Sequence, residues 1–424
     1  MKEITYKNLD LKVYEEILEN GLSIYLCKVP RYSIHARLTT KFGGSILEFK
    51  TEDEKNFTKV PAGVAHFLEH KLFDKKDYDP LATYENNGAS ANAFTNEFIT
   101  SYHFTGASNF EENLEMLLKF VNDPYFTDEN VLKEKGIISQ EKKEDMDNNY
   151  SIVYDKSLQN IFYNLDYKNT VLGTLEDIES ITKEDLYKCY NTFYHPSNMI
   201  LTVCGDIDID KTINQIKTFY SKKNFGKPKK IEIKDKKEPE KVVKEKDVII
   251  KNTKNKEIYI TYKIRKTNKI KDDYLSKLYF SLLLDMKFSG LSEIADIVHN
   301  DKDILSNIST RITEVDDFYL LSFIVNVKKD EDKVINLIDR NLKNSNFEEK
   351  RFNLIKKAIL NSMILSLENP YEICSLIVNQ KRLYGHLLTD IHQKILNLNF
   401  DEFKKYIKNI NYNNRSIVIL KKAS

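Results

Sequence analysis

The chain has 424 residues, with 65 Lys and Arg against 64 Asp and Glu, for a formal net charge of +1. That balance gives no bulk field for holding nucleic acid, and no apolar run reaches the ~18 residues that cross a bilayer, so neither nucleic acid nor membrane is an expected partner. With 41% hydrophobic and 30% charged residues, the composition is that of a folded chain of two or three domains, not a disordered one.

The N-terminal text, MKEITYKNLDLKVYEEILENG, lacks the apolar core of a signal peptide, which makes the cytoplasm the default compartment. β-Branched and aromatic residues predict strands at 22–28 and 36–42. A helix opens after Pro61 (GVAHFLEHKLF), a second covers 79–87, a strand reads from 89 to 104, and helices follow at 109–122 and 128–145. The four cysteines, Cys27, Cys189, Cys204 and Cys374, are far apart, which excludes a disulfide framework or a Cys-based zinc knuckle.

From 221 to 247 the text SKKNFGKPKKIEIKDKKEPEKVVKEKD is dominated by Lys and Glu, with two Pro. It reads as a solvated linker and divides the chain into 1–225, a linker at 226–247, and 248–424. The two halves echo each other. Each carries a Leu-x-Asp-Ile segment (from Leu175 and from Leu388), and then a helix start with an acidic residue three places on (Thr182/Asp185, Asn399/Glu402). Each closes with an Asn-containing break and an apolar strand (199–203 and 417–420). The second helix start is a capping-box pattern. The expected fold class is α+β, a duplicated unit in two related halves.

The chemistry concentrates in His66-Phe67-Leu68-Glu69-His70, an H-x-x-E-H segment. On a helix, His66 and His70 lie one turn apart on one face and can fill two corners of a tetrahedral zinc site. The Glu69 carboxylate beside them can take a proton from a water held there. Only eight His occur in the chain, and two fall in this otherwise apolar stretch. A helix so apolar is buried, and a buried imidazole without a partner is costly. A catalytic zinc usually has three protein ligands. Glu134 and Glu141, seven apart on the acidic helix with Ile137 and Ile138 between them, offer one carboxylate for the metal and one to orient a ligand.

GVAHFLEHKLF, GASANAFTNEFITSYHF, EKGIISQE and FYHPSNM together resemble the pitrilysin/insulinase family of zinc metallopeptidases, which includes the mitochondrial processing peptidases. The overall pattern is similar to the bacterial two-subunit subfamily. The resemblance implies a processing-peptidase-like metallohydrolase fold, each half an antiparallel sheet packed with helices, with the metal motif in the first half only. It also implies one zinc per chain held by His66, His70 and Glu141, with Glu144 as the alternative third ligand. Glu69 would be the catalytic base and Glu134 a supporting acid. Asn92 and Ala93 would lie on an edge strand that holds peptide substrate. Family members complete in one polypeptide carry an Arg and a Tyr, seven apart, that steady the substrate carbonyl. Here the corresponding stretch, 292–310, contains neither, and His299 and Ser306 are the nearest by spacing. Arg382 and Tyr384 are too close together. The resemblance therefore implies a heterodimer in which a related subunit supplies the Arg/Tyr pair, with 221–247 as a hinge. The expected activity is zinc-dependent endopeptidase cleavage of short or unfolded peptides, a precursor or leader among them. The alternatives are an inactive binding or scaffold subunit and a zinc hydrolase of non-peptide substrates.

Overall fold

In the computed structural model, which describes residues 1–30, 33–266 and 272–423, the strand Ile34–Thr40 lies inside a seven-stranded sheet. Successive side chains of a strand face opposite sides. Ala36 and Leu38 enter the main apolar cluster, with Phe67 and Leu68 of the helix Val64–Phe73. Arg37 takes the other face, where its guanidinium donates to the Ser375 hydroxyl and stacks on the Tyr371 ring of the helix Pro370–Tyr384. The strand order is Lys2–Tyr6, Leu11–Ile17, Ser23–Lys28, Met199–Gly205, Ile34–Thr40, Thr100–Gly106, Ala89–Thr95. All neighbours are antiparallel except Ser23–Lys28 and Met199–Gly205, which run parallel. Ala89–Thr95 closes the order and has one neighbour among the described residues, which leaves its other edge open to pairing.

A second sheet has the order Lys246–Ile250, Arg415–Lys421, Lys256–Arg265, Phe318–Val327, Ser309–Val315. It too starts with one parallel pair and continues antiparallel. This repeats the last five strands of the first sheet, one for one, and is the duplication in topology. The helix Asp273–Phe288 that follows the strand Lys256–Arg265 contains neither His nor Glu.

Contacts divide the chain into two units that no single cut separates. One gathers Met1–Lys143, Asn169–Asp235 and Met363–His392, and the other Glu144–Lys168, Lys236–Ser362 and the residues from Gln393 on. The helix Asn149–Ile161 packs Val153 among Tyr259, Val418 and Leu420 of the second sheet. The helix Pro370–Tyr384, from late in the chain, instead packs on the strands Ile34–Thr40 and Met199–Gly205 of the first.

Three sequence expectations change. The strand expected at 89–104 is a hairpin, Ala89–Thr95 and Thr100–Gly106, because the Asn96 side chain accepts from the N–H groups of Phe98 and Ile99 and turns the chain. The capping box expected at Asn399 is only half formed. Asn399 accepts from the N–H of Asp401 and of Glu402, while the Glu402 carboxylate lies 3.3 Å from the Tyr279 hydroxyl. Thr182 and Asp185 form the full reciprocal box. Finally, the Lys/Glu-rich stretch is not solvated throughout. Ile231–Ile233 pairs with the strand Glu48–Thr51. Glu238 is buried, accepting from the Lys263 ammonium at 2.6 Å and from the backbone N–H of Tyr163, Asn164 and Leu165. Losing one partner of a buried pair costs roughly 3–5 kcal/mol, which pins this segment where composition alone reads as linker.

Candidate metal centre and active site

The helix Val64–Phe73 is held by Val64, Ala65, Phe67, Leu68 and Leu72, all buried. Its start requires glycine. Gly63 has φ of 87°, and a Cβ there would collide with the carbonyl oxygen of Leu172. The imidazoles of His66 and His70 come out one turn apart, with ring centroids 4.6 Å from each other. Glu141, on the helix Asp128–Asp147, places Oε1 3.6 Å from His66 Nε2 and Oε2 3.6 Å from His70 Nε2. The three residues offer ligand atoms that all lie within 4.8 Å of one another, and no other such group of three occurs among the described residues. Glu144 is not part of the group. Of the two isoleucines between the glutamates, Ile138 enters the core and Ile137 is exposed, because the buried stripe of this helix runs through Val131, Ile138 and Lys142.

Glu134 lies behind His70. Its Oε1 is 3.1 Å from His70 Nδ1. A carboxylate only accepts, so Nδ1 carries the proton and Nε2 keeps its lone pair on the side of Glu141. Burial, with His70 alongside, pulls the His66 pKa down to about 3, so His66 is a neutral nitrogen donor at pH 7. For His70, burial also pulls down, but the hydrogen bond and charge of Glu134, with Glu141 and Glu69, outweigh it and raise the pKa. Two imidazole nitrogens and one carboxylate form a donor set that fits zinc with a position left open.

Glu69 sits between the two histidines in sequence, and its Oε2 accepts from the Thr95 hydroxyl at 2.6 Å. Burial raises its pKa, opposed by the Thr95 bond and the His70 charge, with Glu141 adding to the rise. Thr95 is the last residue of the edge strand, so the Glu69 carboxylate and that strand are joined directly. Asn92 and Ala93 precede it on the same strand, opposite His103 and Tyr102. Asn92 is exposed and Ala93 half-buried.

The remaining sequence candidates have surroundings of their own. Ser306 accepts from the Asn326 N–H and donates to the Asn307 carbonyl, and His299 is exposed on the helix Ala295–Asn300. Arg382 stacks 4.3 Å above the Phe98 ring in the hairpin turn. Sequence reasoning passed over two residues that touch the site, Thr95 and Lys71. A lysine inside an apolar helix is itself a signal that a buried partner exists.

The order His-x-x-Glu-His on a helix, with a third carboxylate from a second helix, is the inverzincin arrangement. The chain belongs to the insulinase family, peptidase family M16. A family description "Insulinase (Peptidase family M16)" matches residues 56–175, and "Peptidase M16 inactive domain" matches 180–359. The chain is 38% identical over 294 residues to the zinc protease YmfH of Bacillus subtilis, itself uncharacterized, covering 69% of each chain. It is 29% identical over 174 residues to the human mitochondrial-processing peptidase subunit beta, covering 40% of this chain and 35% of that one. The fold of an M16-like peptidase from Alicyclobacillus acidocaldarius superimposes with a TM-score of 0.92 at 25% identity, over 99% of this chain and 100% of the other.

Proposed function

We propose that the chain is a zinc-dependent endopeptidase subunit that hydrolyses short or unfolded peptides, a peptide precursor or leader among them. The observation that carries this reading is the convergence of His66, His70 and Glu141 with Glu69 next to them in sequence. His66, His70 and Glu141 would hold one zinc per chain. When bound, zinc supplies a water that ionises near neutral pH and a Lewis acid for the scissile carbonyl. Glu69 takes a proton at its carboxylate and returns it to the leaving amine. Glu134 fixes the tautomer and orientation of His70. Asn92 and Ala93 present the open edge, where an extended peptide adds as a further strand through main-chain hydrogen bonds. The subunit naming of the mitochondrial relatives supports pairing with a second chain, which would supply the Arg/Tyr pair.

Metal analysis tests the centre. His70→Ala should lose its zinc while keeping its helical content, and full occupancy in that variant would remove the assignment. Strand addition has its own test. Scanning proline through a cleaved peptide should abolish turnover at the alternating positions whose N–H pairs with the edge, since proline has none. Uniform tolerance would rule the edge out. A second reading, a binding subunit without turnover, draws on the match of 180–359 to a domain described as inactive. Absence of cleavage by a zinc-loaded, partner-bound complex would favour it.

A further inference from the structure

We infer that Lys71 is a positioning residue of the metal site, locking the acidic helix against the histidine helix through Glu134. The inference rests on the metal-site reading above and adds a residue to it. Lys71 is 0% exposed. Its ammonium has three protons to place. One goes to the Asp74 carboxylate on its own helix's C-terminal side. Another goes to the Asn130 carbonyl at 3.2 Å. The third side faces Glu134 Oε2 at 3.8 Å. Asn130 and Glu134 lie one turn apart on the acidic helix, and Glu141 follows two turns later. The same Glu134 carboxylate engages His70 Nδ1 through its other oxygen. A single buried cation therefore fixes the helix that delivers Glu141 and the carboxylate that aims His70.

Burying an ammonium costs several kcal/mol, and an apolar side chain of similar length would fill the space without that cost. The charge must return something beyond packing. Its field alone does not help, because a positive charge near a divalent cation repels it. Positioning and field thus act with opposite signs, and the sign of the effect on zinc affinity separates them.

The experiment measures zinc affinity by chelator competition, and melting of the metal-free protein, for the wild type, Lys71→Met, Glu134→Gln and the double variant. Lys71→Met should weaken zinc binding by about 10–100-fold, the range for lost outer partners of a metal ligand. In the Glu134→Gln background the same substitution should cost clearly less, since its contact with the Glu134 carboxylate is already weakened and only the hold on the Asn130 carbonyl remains. Should Lys71→Met not fold, Lys71→Gln, which keeps donors but no charge, is read the same way. Zinc bound as tightly as in the wild type, or more tightly, overturns the inference while leaving the metal site standing. An undiminished loss in the Glu134→Gln background overturns it too, because Lys71 would then act by another route. A wild-type chain that takes up no zinc overturns both.

Discussion

Glu69→Gln is expected to leave the protein folded and zinc-loaded and to cut peptide turnover by about 10²–10⁴-fold, the usual worth of a general base. The amide has the shape of the carboxylate, and its oxygen can still accept from the Thr95 hydroxyl that now holds Oε2 at 2.6 Å. His66, His70 and Glu141 are untouched, so the donor set remains. What is lost is the ability to take a proton and hand it on, a step that belongs to the transition state and not to binding. The decrease should therefore fall on kcat with KM little changed, a loss of about 3–5 kcal/mol in transition-state stabilisation. Turnover of a quenched peptide by the partner-bound enzyme, set beside metal analysis of the same sample, checks it. A wild-type rate in a zinc-loaded variant would mean that another group is the base.

What could be read from the sequence followed the range over which each feature is decided. The pairing of His66 and His70 depends only on the helical period, and the helix ends at Asp79 and Thr182 are set by side chains within three residues, so both were legible. The hairpin was not, because one Asn96 side chain makes the turn inside a stretch of otherwise continuous strand-forming residues. Glu141 could be placed against the histidines only through the family resemblance, since nothing local joins two helices so far apart in the chain. The burial of Glu238 was hidden for the same reason, because its charged partner Lys263 lies well further on in the chain. The two helices that join the sheet of the other sequence half were also out of reach. Asn149–Ile161 and Pro370–Tyr384 show apolar residues to bury, but only tertiary packing decides which sheet receives them.

The single chain should bind zinc yet cleave peptides poorly, and adding a related partner chain should raise kcat by roughly 10²–10³-fold. A carbonyl turning into an oxyanion needs donors aimed at it before it forms, and one missing donor costs about that factor. The region 292–310, where the family resemblance places an Arg and a Tyr, holds neither. The residues standing nearest by spacing do not replace them. The Ser306 hydroxyl is engaged by the Asn326 N–H and the Asn307 carbonyl. His299 lacks the forked donors of a guanidinium. Arg382 lies over the Phe98 ring and comes from a different helix. The simplest source of the donors is a second subunit of the same family, whose own metal motif need not be intact. Copurification identifies that subunit. Titrating it against a fixed amount of zinc-loaded chain should then give a kcat that rises to a plateau at one partner per chain, with Arg→Ala in the partner's donor pair removing the gain. If the purified chain, as monomer or homodimer, already cleaves peptides at the plateau rate, the donors come from within it and the heterodimer is wrong.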